Sequence, residues 1–319
     1  MNNSDRIAVT KSDIEQAMTL ISPQIRRTPV LKVKPSDCEG VGASKLHQSL
    51  AITLKLEYLQ CSGSFKARGA FNNLLSQAIP TAGVVAASGG NHGAAVAFAA
   101  RELGVKAHIF VPTVSSVEKQ RRIEQLGAKL VVGGDRYADA LISAAQFAEE
   151  TGALAVDAYN TNKTLAGAGT TALELVQQAP DIDTVLVAVG GGGLIGGMAA
   201  YVGDRIKVVA VETEGTPTLH SALKAGSPVK VATSGIATDS LGASQVGTLC
   251  FPLLQRYVAE SLLVTDEAVT QAQSLLWNNF RIVAEPGGAA AFAALSSGVY
   301  RPDPNEQVAV LICGANTSR

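Results

Sequence analysis

Thr184-Val-Leu-Val-Ala-Val189 runs straight into Gly190-Gly-Gly-Gly193-Leu194, and that junction decides the reading of the fold. A short, unbroken apolar run rich in β-branched residues and stopped by glycine reads as a strand buried on both faces. Four consecutive glycines leave the backbone free to curl with its N–H groups exposed, and the apolar segment after them starts a helix. Together they make an anion nest at a helix N-terminus, suited to a phosphate carrying roughly −1.5 to −2 charges.

Outward from this junction the same pattern holds from about residue 52 to 213. Candidate strands lie at 52–59, 83–88, 106–111, 129–132, 153–157, 184–189 and 207–212, separated by segments of helical period such as 64–75, 116–126 and 135–150. Such alternation predicts an α/β chain with parallel strands joined by crossover helices. Residues 213–250, rich in Gly, Ser and Thr, read as irregular. Helices at about 265–279 and 286–297 and a last strand at 307–313 close the chain.

The chain has 319 residues, beyond the size at which one hydrophobic core usually stops growing, so two lobes with a cleft between them are expected. Its 47% hydrophobic content includes only 5% aromatics, so the apolar mass is Ala, Val, Leu and Ile, the composition of buried strands under small-residue helices. Lys plus Arg number 26 against 27 Asp plus Glu, a net charge of −1 with no long run of one sign. Nucleic acid and membrane surfaces gain no support as partners. Cys38, Cys61, Cys250 and Cys313 fall at unrelated spacings, as reduced cytosolic thiols do. There is no apolar run behind the N-terminal charge and none of about 18 residues elsewhere, so the expectation is a soluble cytoplasmic protein.

Open parallel sheets bind ligands outside the carboxyl ends of their strands. Four such exits carry unusual residues: Cys61-Ser-Gly-Ser-Phe65-Lys66-Ala-Arg-Gly, Ser88-Gly89-Gly-Asn91-His92-Gly, the tetraglycine run, and Cys313-Gly-Ala-Asn316. Turns explain one cluster easily; four on one sheet edge suggest a shared site. Gly191-x-Gly193-x-x-Gly196, answered by Glu212 at the end of the next strand, also fits a dinucleotide fingerprint and hence a nicotinamide oxidoreductase. That reading leaves the other three clusters unexplained. Lys66, among small residues and Phe65, can point into a cleft, and partial burial moves a lysine toward the neutral amine that attacks an aldehyde. Lysine, phosphate nest and polar strand ends together describe a pyridoxal phosphate site.

On these motifs the sequence resembles the serine/threonine dehydratase branch of the fold-type II, tryptophan-synthase-β-like pyridoxal phosphate enzymes, over about residues 12–317. The resemblance implies two lobes, each an open, mostly parallel twisted sheet flanked by helices, with the cofactor in the cleft between them. The large domain is then 1–82 with 158–319 and the small domain 83–157. It implies Lys66 as the Schiff-base lysine, Phe65 beside the cofactor ring, and Asn91 on the ring hydroxyl. Ser88, Gly89, Asn91 and His92 receive the substrate, Gly190, Gly191, Gly192, Gly193 and Leu194 cradle the phosphate, and Cys313 faces the pyridine nitrogen. A thiol there stabilises a protonated pyridine poorly, which favours β-elimination over transamination.

Two departures from the family pattern matter. Racemases similar to this family carry a serine where Gly89 stands, and glycine cannot transfer a proton. The divalent-cation site of some members needs an acidic residue where this chain has Thr218, so Glu212 alone leaves a metal undetermined. Glu285, in Glu285-Pro-Gly-Gly-Ala, reads equally as a support of the site or as a residue near a helix start. The chain ends at Arg319, which leads us to expect no regulatory domain or isoleucine feedback. The expected reaction is elimination of the β-hydroxyl from a β-hydroxy amino acid such as threonine or serine, followed by hydrolysis to a 2-oxo acid and ammonia. Larger substrates such as 3-phenylserine or 3-hydroxyaspartate, a serine racemase, a β-replacing synthase and the oxidoreductase are the alternatives. A homodimer or tetramer is the implied assembly.

Overall fold

Among the residues described by the computed structural model, 9–40 and 45–317, ten strands form two sheets. The larger takes β1 (Val30–Val33), β2 (Ala51–Lys55), β7 (Thr184–Ala188), β8 (Lys207–Thr213), β9 (Val258–Val264) and β10 (Gln307–Leu311), in the order β1-β2-β10-β7-β8-β9. Only β1 runs antiparallel to its neighbour. The smaller sheet is all parallel, β5-β4-β3-β6, from β3 (Val84–Ala87), β4 (Ala107–Val111), β5 (Lys129–Val132) and β6 (Leu154–Ala155). β3 and β6 are neighbours, with Val84 opposite Leu154. The apolar runs form strands because helices cover both faces: every residue of β7 is buried, and helix Pro286–Ser296 is buried almost throughout.

The α/β expectation and two mostly parallel sheets are what the chain adopts. Three local expectations are corrected. The strand expected over 52–59 stops at Lys55, because Lys55 and Glu57 turn inward into a buried ion cluster and Tyr58 N–H donates to Ile312 O instead of continuing the ladder. Residues 213–250 are not irregular throughout: helix Thr218–Ala225 and a short turn of helix, Thr238–Leu241, lie within them. Helix Lys11–Ile21, β1 and β9 were not anticipated, although Thr10 and Asp13 form a complete capping box ahead of the helix.

Three helices meet through glycine. A Cβ on Gly167 would sit 2.5 Å from Arg68 O, and one on Gly197 would sit 2.2 Å from Leu165 O and 2.7 Å from Gly169 N. Helices Lys66–Leu75 and Gly193–Val202 therefore both lie backbone-close against helix Asn162–Gln178. That packing fixes the spacing between Lys66 and the tetraglycine turn. No described helix is long and apolar enough to cross a membrane.

Candidate active site

Strand order assembles the site. β2, β10 and β7 are adjacent, so the segments leaving their carboxyl ends, which carry Lys66, Cys313 and Gly190, come out side by side. The turn ahead of Lys66 passes through two left-handed residues, Ser62 (φ 61°) and Gly63 (φ 84°). It is stitched to the strand after β10: Phe65 N–H donates to Cys313 O at 3.1 Å, and Ala315 N–H to Gly63 O at 3.0 Å. A left-handed serine costs roughly 1–2 kcal/mol, and these bonds hold it there.

Lys66 opens helix Lys66–Leu75, and its Nζ donates to Ala158 O at 2.6 Å. Burial lowers its pKa to about 8, against the opposing pull of Asp157 and Cys313. Two residues on, Arg68 is fully buried and forms paired bonds to both Glu57 and Glu174, at 2.7–3.0 Å. Lys55 completes this cluster, its Nζ donating to Thr28 O, Glu174 Oε2 and Gln178 Oε1, each at 2.8 Å. All charges in it are paired and hydrogen-bonded, which is the condition for tolerating them inside.

One cavity of about 470 Å³ is lined by Phe65, Lys66, Asn91, Gly190, Gly191, Gly192, Gly193, Leu194 and Cys313 together. Every residue expected to touch the cofactor thus faces the same space. The tetraglycine turn ends in Gly192 (φ 89°), and helix Gly193–Val202 begins there, its first-turn N–H groups lacking helical partners by geometry. A Cβ on Gly191 would meet the Tyr159 ring at 2.4 Å, and one on Gly193 would meet Tyr159 Cβ at 2.8 Å, so only glycine leaves the cradle its shape. Cys313 Sγ donates weakly to Gly287 O at 3.5 Å, and burial pushes its thiol up, so it stays neutral. An amine near neutrality, a donor-rich glycine cradle and a neutral thiol fit pyridoxal phosphate.

The four residues expected to receive substrate divide. Gly89 and Asn91 line an adjoining cavity of about 360 Å³ with Gly90, Lys119, Arg122 and Asp239. Ser88 Oγ accepts from Gly90 N–H at 3.2 Å, shaping the loop. His92 instead lines a separate small cavity with Lys66, its Nε2 bonded to Val156 O at 2.8 Å. Burial, then Lys66, lowers its pKa to about 4, so it is neutral and donates to that carbonyl. A Cβ on Gly89 would fall 2.7 Å from Ser115 Oγ, so residue 89 offers neither a proton nor free room for a side chain.

The dinucleotide reading loses its acid. Glu212 is fully buried, and its two oxygens accept from Leu219 and His220 N–H, each at 2.7 Å, capping helix Thr218–Ala225. Burial raises its carboxyl to about 7 against these bonds. Thr218, at the other expected cation position, donates to Ala243 O at 2.7 Å. Among the described residues no group of three or more His, Cys, Asp or Glu is placed to hold a metal.

Sequence reasoning left Glu285 open and gave Asn316 no role. Both line the adjoining cavity, and Asn91 Nδ2 donates to Glu285 Oε1 at 2.5 Å. Ala158 and Tyr159 were missed, since nothing local marks them.

Three comparisons bear on this geometry. The family described as pyridoxal-phosphate dependent enzyme matches residues 21–314. An L-threonine ammonia-lyase of Thermotoga maritima is 34% identical over 313 residues, 97% of this chain and 76% of that one. A phenylserine dehydratase of Ralstonia pickettii is 34% identical over 298 residues, 92% and 89% of the two chains. Among solved structures, a threonine deaminase from T.th. superposes with a TM-score of 0.87 at 33% identity, covering 97% of this chain and 99% of that one. Maize serine racemase superposes with a TM-score of 0.89 at 30% identity, covering 98% and 94%.

Proposed function

The chain belongs to the pyridoxal-phosphate dependent enzymes, and on that premise we propose that its cleft removes the β-hydroxyl and the amino group of a β-hydroxy amino acid, leaving a 2-oxo acid and ammonia. Threonine and serine are the first substrates to test. One observation carries the reading: Lys66, the glycine cradle and Cys313 line one cavity, and Gly89 puts no proton-transferring group beside it.

When bound, the cofactor supplies an electrophilic carbon for the substrate amine and an electron sink that acidifies the substrate's α-hydrogen. The protein's part follows from its side chains. First-turn N–H groups of helix Gly193–Val202 hold the phosphate, and those of helix Asn91–Glu102, opened by Gly90, receive the substrate carboxylate. Lys66 Nζ, neutral above about pH 8, takes the α-proton. The resulting ammonium then gives a proton to the departing β-hydroxyl, which leaves as water. The enamine set free takes up one water and hydrolyses to the 2-oxo acid, releasing ammonia. The neutral thiol of Cys313 leaves the pyridine nitrogen without a carboxylate partner, which favours elimination.

The adjoining cavity supports a second reading. A bulkier side chain, as in 3-phenylserine, has a precedent in the Ralstonia pickettii relative, and Arg122 suits an acidic one, as in 3-hydroxyaspartate, whereas Lys119 is already paired with Asp239. A cytoplasmic homodimer or tetramer completes the proposal, and sedimentation of the purified protein checks the assembly.

A panel of β-hydroxy amino acids, assayed for ammonia release, tests the reaction. Wild-type protein should form 2-oxobutanoate from threonine, and Lys66→Ala should abolish it; borohydride should fix the cofactor on Lys66 alone. A protein that stays colourless with added pyridoxal phosphate overturns the assignment. Serine enantiomers that interconvert faster than they lose ammonia overturn the elimination reading.

A further inference from the structure

Asn91 opens helix Asn91–Glu102, and its side-chain amide is gripped from both ends. Its Nδ2 donates to Glu285 Oε1 at 2.5 Å, while its Oδ1 accepts from Asn316 Nδ2. The two ends of an asparagine amide have nearly the same shape, so its neighbours alone decide which end faces a ligand. Here an acceptor stands at one end and a donor at the other. Turning the amide round would set its oxygen against the ionised Glu285 carboxylate, and the amide of Asn316 would have to turn with it.

Both partners are themselves held. Glu285 N–H donates to Gly314 O at 3.1 Å, and a Cβ on Gly314 would fall 2.0 Å from Glu285 Oε1, so Gly314 gives the carboxyl its place. Asn316 Oδ1 would lie 2.5 Å from a Cβ on Gly63, in the turn ahead of Lys66. The network therefore ties the first residue of a helix beside the smaller sheet to two strand exits of the larger one. Burial raises the Glu285 carboxyl to about 7, although the Asn91 bond pulls it down.

We propose that Glu285 and Asn316 are positioning residues that lock the Asn91 amide in one orientation, so that an N–H of Nδ2, and not the carbonyl, is presented to the ring hydroxyl oxygen of the cofactor. Nδ2 carries two hydrogens and Glu285 takes one, leaving the second for that oxygen. The proposal rests on the reading of Asn91 as the partner of the cofactor ring.

Equilibrium binding to the cofactor-stripped protein tests it, with pyridoxal phosphate and with 3-deoxypyridoxal phosphate, which lacks the hydroxyl. Wild-type protein should bind the first at least about tenfold more tightly, the scale of one charge-assisted hydrogen bond. Asn316→Asp replaces the donor with a carboxylate, and Glu285→Ala removes the acceptor; each should erase most of that preference while leaving 3-deoxypyridoxal phosphate affinity within about twofold. Glu285→Gln keeps an acceptor oxygen and should retain the preference. Equal losses for both ligands, no loss for either, or E285Q failing as E285A does overturns the amide lock. Wild-type protein that binds the two ligands equally well overturns it at Asn91 while leaving the cofactor assignment standing. Wild-type protein that binds neither overturns both.

Discussion

An amine attacks a carbonyl only in its unprotonated form, and burial brings Lys66 to that form near pH 8 rather than near the 10.5 of a solvated lysine. Below about 8 the ammonium dominates and above it the free amine does. The rate at which cofactor-stripped protein captures pyridoxal phosphate should therefore rise through about pH 8 and level off above. A midpoint near 10.5, followed by stopped-flow absorbance, would place Lys66 in solvent. His92, held neutral by burial and by Lys66, should add no step between pH 5 and 8. Asn91, the glycines and Cys313 were legible in the sequence because each sits in a short motif just after a strand, and Lys66, two turns beyond β2, because of the small residues and Phe65 ahead of it. The Ala158 carbonyl that holds Lys66, and Tyr159 over the cradle, were not. They meet residues far away in the chain, and strand order, which brings them there, has no local signature.

At the scale of elements, helix Lys66–Leu75 carries the reactive lysine on its first residue and a buried ion cluster on its third. Arg68 bridges Glu57, just past β2, and Glu174, on helix Asn162–Gln178, so one guanidinium ties a strand exit to two helices. Arg68→Met would leave two buried carboxylates sharing only Lys55. About 3–5 kcal/mol of unfolding free energy should be lost, read as a lower urea midpoint at unchanged slope. A loss below about 1 kcal/mol would mean that water reaches the cluster. The sequence shows Lys55, Glu57 and Arg68 as ordinary charged residues, since the pairing that permits their burial reaches across to residue 174. β9 was overlooked for a related reason: Val258–Val264 is mostly half-buried and lacks the unbroken apolar run that marked β7.

For the whole molecule, the cavity draws its walls from the exits of both sheets, with Lys66 and the glycine turn on one side and Asn91 on the other. A ligand bound there stabilises the folded chain by mass action, about 2.7 kcal/mol at a hundred times its dissociation constant. Stripping the cofactor should lower the melting temperature by several degrees, and pyridoxal phosphate should restore it. Pyridoxal without the phosphate should restore much less, because the glycine cradle contributes only through the phosphate; equal recovery with both, by scanning calorimetry, would remove the cradle from the account.

The smaller sheet is drawn from one continuous stretch that departs through β3 and returns through the adjacent β6. Exit and re-entry lie side by side, the geometry of a cassette that could be exchanged between related chains. Its core, however, is closed by Ala67, Ala70, Phe71 and Leu74, which lie upstream of β3. A graft that respects packing must therefore bring helix Lys66–Leu75 along. Swapping the lobe to alter its preferences also swaps the lysine that reacts, so the two are inherited as a unit.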